Sequence, residues 1–99
     1  MKPGTYEEFW PIYLNAHRSR GNRVLHAIGT TVGTGLLLAG LALRRWDLAL
    51  AAPVVGYAFA WAGHFGVEGN RPATFGHPLW SFYSDFRMLG LMLVGKLRI

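Results

Sequence analysis

The sequence contains no cysteine. That absence excludes disulfide bridges, thiolate-bound zinc, cysteine-bound iron–sulfur clusters and cysteine nucleophiles. Charged side chains are also scarce, at 15% of the 99 residues, whereas hydrophobic residues make up 52%. A soluble domain of this size buries only about 60–65% of its unfolded surface and needs polar groups to cover the rest. The composition therefore predicts a single integral membrane domain, residues 1–99.

Positive charge exceeds negative charge, and the net value is +5. The arginines are scattered among apolar segments, however, and do not form the single basic face that is typical of a nucleic-acid-binding domain. Basic flanks beside anionic lipid headgroups are the simpler interpretation. We therefore predict the lipid bilayer as a partner and no nucleic acid.

Two long apolar segments occupy the middle of the chain. Residues 24–43 and 48–67 each contain 20 residues and no formally charged side chain. A membrane-spanning helix needs about 17–25 such residues, so both segments are long enough to cross. Residues 44–47 leave room only for a tight turn, which predicts a two-helix transmembrane hairpin. A shorter apolar stretch at 79–94 predicts a third apolar helix.

The N-terminal segment has its own helix signal. Thr5 and Glu8 have the spacing of a capping box, which opens a helix. The residues that follow are rich in aromatic side chains, as expected at a membrane–water interface. Pro11 lies beyond the first turn and predicts a kink or a late start. The predicted fold is all-α: a small bundle with an N-terminal interfacial helix, the hairpin and a shorter C-terminal helix.

The hairpin brings the four histidines of the sequence towards one membrane face. His26 lies at the start of the first span and His64 near the end of the second, so antiparallel packing places them together. His17 precedes the first span and His77 follows the second. Neutral imidazole binds iron, copper, nickel and zinc. We predict a metal site there, with His77 in its Gly-Pro loop as the most doubtful member.

Two polar residues share a helix face with these histidines. Asn22 lies four positions before His26, and Glu68 lies four positions after His64. Polar groups at membrane depth are costly and usually line a functional cavity. Glu68 could equally be a charge at headgroup level.

Three other charged residues have plainer interpretations. Asp85 and Arg87 are two positions apart, so they do not face each other on a helix and are interpreted as caps of a short amphipathic segment. Arg71 is interpreted as another headgroup-level charge.

Two motifs resemble those of a known family. Residues 17–26 read H-x4-N-x3-H, and residues 63–73 read G-H-F-x-x-E-x-N-R-P-A. Together they resemble the family of small membrane proteins that includes the 2-hydroxy fatty acid dioxygenase of fatty acid α-oxidation. The resemblance extends from about Phe9 to Leu93.

The resemblance implies an iron(II)-dependent dioxygenase whose metal is bound by histidines. By position, the ligands carry over to His17, His26 and His64, with His77 as a further candidate. Glu68 matches the family acid, either as a ligand or as a residue that orients a histidine, and is counted with the catalytic residues. The implied substrates are a 2-hydroxy fatty acid or a related lipid, and O2.

Further residues are candidates for orienting ligands or contacting substrate, namely Asn22, Glu68, Asn70 and Arg71. Arg71 is a candidate partner for the substrate carboxylate, because a guanidinium group binds carboxylates bidentately. The expected location is the inner membrane in a bacterium or the endoplasmic reticulum in a eukaryote, and a homo-oligomer is left open.

Two other functions fit the same residues. A haem held between His26 and His64 would make an electron-transfer protein. Alternatively, the histidines are merely interfacial and the protein is a non-catalytic membrane module. In that case its small residues Gly29, Gly33 and Gly40 would serve helix association.

Overall fold

A computed structural model describes residues 3–71 and 76–97 of the chain. These residues form four α-helices and no strand, so the predicted all-α class is confirmed. The helices are α1 (Tyr6–Ala16), α2 (Arg20–Leu43), α3 (Trp46–Trp61) and α4 (Pro78–Leu93). A π-helical segment, Ala62–Glu68, continues α3 directly.

Helix α1 starts with the predicted capping box. Thr5 Oγ1 accepts a hydrogen bond from the Glu8 backbone N–H at 3.2 Å, and Glu8 Oε1 accepts one from the Thr5 N–H at 3.3 Å. The helix then runs through Pro11 to Ala16. The alternative of a late start was therefore wrong: two satisfied cap donors stabilise the first turn even though Pro11 removes a later one.

Helices α2 and α3 form the predicted hairpin. At its closed end Arg44 adopts a left-handed conformation with φ 55°, and the Arg45 N–H donates to the Gly40 carbonyl at 2.8 Å. The helices approach closely here, since a Cβ on Gly40 would lie 2.9 Å from Ala49 Cα. Arg45 and Asp47 form an exposed ion pair at 2.7 Å across the turn.

Two helices are long and apolar enough to cross a membrane: α2, with 24 residues, and the continuous helix Trp46–Glu68, with 23. They contain the predicted spans 24–43 and 48–67. Only 17% and 22% of the residues in their most apolar stretches are buried in the protein, far fewer than in the core helix of a soluble domain. Large side chains therefore lie on the outer surface, among them Leu38, Leu41, Leu43, Leu50 and Val54.

The core lies between α1 and α4. Phe9, Tyr13, Met88 and Met92 are buried against one another there. Burying each such side chain contributes roughly 1.5–3 kcal/mol. Helix α4 closely matches the predicted stretch 79–94. Its packing on α1 holds it beside the open end of the hairpin, where the histidines are.

Candidate metal centre

Three histidines from three different elements meet at the open end of the hairpin. His17 follows the last residue of α1, His26 lies in the second turn of α2, and His64 lies in the π-helical segment. All three are buried, and their ligand nitrogens lie within 4.8 Å of one another. The structure therefore brings together three of the four histidines that the hairpin argument placed on one face.

The environment of His17 fixes which of its nitrogens carries the proton. Its Nδ1 lies 2.6 Å from the Tyr13 carbonyl oxygen, which can only accept, so Nδ1 donates and Nε2 presents a lone pair. The Tyr13 ring also stacks on the imidazole at 4.0 Å. Burial, reinforced by His26, lowers the pKa of His17 from 6.5 to about 2. The side chain therefore stays neutral, as a metal ligand must be.

Hydrogen bonds also fix the orientation of His64. Asn70 Nδ2 donates to the Ala16 carbonyl at 2.9 Å, which turns Asn70 Oδ1 towards the imidazole. His64 Nδ1 lies 2.7 Å from that oxygen and donates to it. The lone pair of His64 is thus on Nε2 as well. Asn70, proposed from the sequence as an orienting or substrate residue, lies beside a histidine of the cluster.

His26 has an acidic partner that the sequence analysis missed. Its Nδ1 lies 3.4 Å from Asp85 Oδ1, and the same oxygen accepts a hydrogen bond from the Tyr13 hydroxyl. Asp85 lies in the middle of α4, so its interpretation as a helix cap was wrong. The available signal was its helical spacing from the buried residues Ser81 and Met88, which marks one inward face of α4.

The predicted acid Glu68 lies elsewhere. Its Oε1 accepts a hydrogen bond from the Ser19 backbone N–H, which ties the end of the π-helical segment to the start of α2. It is not part of the group of three histidines. The spacing argument assumed an α-helix, whereas a π-helix bonds residue i to i+5, so the role of Glu68 beside His64 stays a prediction.

The other two predicted residues of this region lie at its edge. His77 precedes α4 and is outside the group of three, with its ring stacked on Trp80 at 5.0 Å and against Phe9 at 5.4 Å. The sequence placed His77 with the other histidines, whereas its ring contacts aromatic side chains outside the cluster. Arg71 is exposed at the end of the described range 3–71.

Asn22 lies at the contact between α2 and the π-helical segment. It is fully buried, and its Nδ2 donates to the Ala16 carbonyl at 3.4 Å. Its Oδ1 has no hydrogen-bond partner in the described part of the chain. Gly63 packs directly on this amide, because a Cβ there would overlap Oδ1 and lie 3.0 Å from Asn22 Cγ.

We expect Gly63→Ala to destabilise the centre. The added methyl group would push Asn22 and the backbone before His64 apart, and overpacking of this kind costs about 1–3 kcal/mol. The midpoint temperature of thermal unfolding in detergent and the metal content per chain should both fall. Gly66→Ala in the same segment is the matched control, since nothing lies within 4 Å of its added Cβ. Equal behaviour of the two variants would contradict this account of Gly63.

The donor set suits a metal ion. Nε2 of His17 and Nε2 of His26 face each other at 3.1 Å. Because His17 is protonated at Nδ1, this contact is either a hydrogen bond donated by the His26 Nε2–H or, in the other tautomer of His26, a position for a cation between two lone pairs. Two nitrogens about 2.1 Å from one ion, at angles of 90–109°, lie roughly 3.0–3.4 Å apart. Three buried imidazoles, each with a partner at Nδ1, could therefore hold iron, copper, nickel or zinc.

Comparison with known protein families gives a match over most of the chain. The family model described as 2-hydroxy-palmitic acid dioxygenase Mpo1-like matches residues 4–97, which is nearly the whole chain. No curated protein and no solved structure gives a significant match.

Proposed function

Because the chain belongs to the 2-hydroxy-palmitic acid dioxygenase Mpo1-like family, we propose that it is an iron(II)-dependent membrane dioxygenase acting on 2-hydroxy fatty acids. The observation that carries the proposal is the convergence of three buried imidazoles within 4.8 Å. Family membership suggests the type of reaction, and the three histidines form the site at which we propose that it occurs.

The proposed reaction needs no further electron donor. A 2-hydroxy acid and O2 give the acid shortened by one carbon, CO2 and water. The substrate itself supplies the four electrons that reduce O2. Iron is proposed rather than zinc because zinc has no redox chemistry. When bound, iron(II) would supply a redox centre and a template for the two substrates.

The protein's own contribution is orientation. His17, His26 and His64 are the proposed ligands, and the Tyr13 carbonyl, Asp85 and Asn70 each face the nitrogen that points away from the centre. Such partners fix the tautomer and the ring direction and raise the basicity of the ligand. The ring nitrogens opposite these partners are thereby directed inwards before any metal binds.

Roles are proposed for two further residues. Asn22, one helical turn before His26, packs against Gly63 and is proposed to hold the backbone next to His64 in place. Arg71 follows Asn70 directly and is the proposed partner of the substrate carboxylate. Glu68 then acts indirectly, by holding the loop between α1 and α2 against the π-helical segment.

We also propose that the hairpin is inserted in the membrane, the inner membrane of a bacterium or the endoplasmic reticulum of a eukaryote. The support is the length of its two helices and their exposed leucine and valine side chains. In this arrangement α1 lies at the interface and the histidines lie near one membrane face. A fatty acid would then reach the centre from the bilayer.

A haem between His26 and His64 has less support. The His17 ring lies 4.3 Å from that of His26 and 4.4 Å from that of His64, where the macrocycle would have to fit. The non-catalytic alternative does not account for three partnered, converging imidazoles.

We expect detergent-purified protein to contain iron and to consume O2 when 2-hydroxypalmitate is added, with CO2 released in equal amount. Palmitate, which lacks the 2-hydroxyl group, is the control substrate and should give neither. Metal analysis and an oxygen electrode make the measurement. Absence of iron and of O2 uptake after anaerobic iron loading would overturn the proposal, and a Soret band would favour haem.

A further inference from the structure

A groove runs along the hairpin from the histidine cluster. It has a volume of about 390 Å³, within the range of small-molecule sites. His26 and Asp85 line one end, and Leu37 and Ala49 line the other. His26 therefore belongs both to the metal centre and to the groove.

The groove has the length of a long alkyl chain. His26 and Leu37 are separated by 11 positions on α2, which corresponds to about 16 Å of helix. An extended chain advances roughly 1.25 Å per carbon, given C–C bonds of about 1.5 Å at near-tetrahedral angles. The groove therefore accommodates about 13 carbons.

Beyond His26 and Asp85, the groove is lined mainly by apolar side chains. Small residues of both hairpin helices form its floor, namely Gly29, Gly33, Ala52, Gly56 and Ala60, while Phe82 and Phe86 of α4 flank the histidine end. The hydroxyl groups of Thr30 and Thr34 can bond to carbonyls of the preceding turn. The charged and imidazole groups are thus confined to one end, as an amphiphile with one polar head requires.

We propose that this groove binds the alkyl chain of the substrate, with the head at His26 and the methyl end at Leu37 and Ala49, and that these two residues set the accepted chain length. The inference rests on the proposed function, which places the head group at the metal. It goes further by naming the path of the chain and the residues that end it.

A photoreactive substrate tests the path without turnover. The probe is a 16-carbon 2-hydroxy acid with a diazirine at its methyl end, applied to the full chain in detergent. Irradiation should label peptides that contain Leu37 or Ala49, and unlabelled 2-hydroxypalmitate should suppress the labelling. A 10-carbon probe, about 7.5 Å shorter, should instead label residues about five positions nearer to His26, at Gly33 and Pro53. Labelling that resists competition would indicate ordinary lipid contact and overturn the proposal.

Two opposing variants test the length limit. Ala49→Phe fills the far end and should shift the preferred acid to one roughly three carbons shorter. The kcat/KM for 2-hydroxypalmitate should fall roughly fourfold per displaced methylene. Leu37→Ala opens the same end and should shift the preference towards longer acids. Ala58→Phe is the matched control, since Ala58 is exposed on α3 and does not line the groove.

The outcomes separate the two proposals. If the wild-type protein consumes no O2 with any 2-hydroxy acid, the proposed function fails whatever the probe labels. If the wild-type protein is active but each variant changes kcat/KM by the same factor for acids of every chain length, the groove does not select chain length and this inference fails.

Discussion

Alanine in place of His17, His26 or His64 should abolish metal binding, whereas alanine in place of His77 should leave it intact. Each of the first three supplies one of three converging nitrogens, and each is buried with a partner at Nδ1. Loss of an outer partner already costs about 10–100-fold in metal affinity, so the loss of a ligand should cost more. His77 contacts aromatic rings and lies outside the group.

The measurement is metal content per chain after purification, followed by titration of the apo proteins with iron(II) under anaerobic conditions. Folding must be checked in parallel, because removal of a buried imidazole leaves a cavity. Glutamine at each position serves that purpose, since it fills more of the space than alanine. Retention of full metal content by any one of the three alanine variants would remove that histidine from the centre. Loss of metal in His77→Ala would contradict the assignment to three ligands.

The place of the three histidines could be predicted because it follows from local rules. Each long apolar segment had the length of a span, and the tight turn at residues 44–47 allowed only an antiparallel return. His26 and His64 then had to lie at the same end of the hairpin. His17 followed because only a few residues separate it from α2. None of these steps needed knowledge of packing between distant helices.

The partners of the histidines could not be predicted in the same way. Asp85 reaches His26 only because α4 packs on α1, and its hydrogen bond to Tyr13 joins residues 72 positions apart. The periodicity of α4 can place Asp85 on the inward face of that helix, but it cannot identify the residue that Asp85 meets there. The contact of Glu68 with the Ser19 backbone could not be predicted either, because the helix changes to π winding at Ala62 and α-helical spacing no longer describes which residues share a face. Asn70, six positions after His64, takes the orienting position instead.

Asp85→Asn should weaken metal affinity by about 10–100-fold without unfolding the protein. Asparagine has the same shape and keeps an oxygen that can accept from the Tyr13 hydroxyl. It lacks the charge that makes the neighbouring imidazole of His26 a stronger donor to a cation. The effect should therefore appear in the metal dissociation constant and much less in thermal unfolding of the apo protein.

Two further variants separate this electrostatic role from packing. Ser84→Ala removes the adjacent buried hydroxyl of α4, which contacts Tyr6 at 2.9 Å and no histidine of the group, so it should leave metal affinity unchanged. Tyr13→Phe keeps the ring stacked on His17 and the carbonyl that accepts from it, and removes only the hydrogen bond to Asp85. Its loss of affinity should fall between the other two, because the carboxylate remains but is free to turn from His26. Equal metal affinities for Asp85→Asn and Ser84→Ala would show that the carboxylate merely fills space, since both variants alter inward-facing polar side chains of α4 and only one removes the charge.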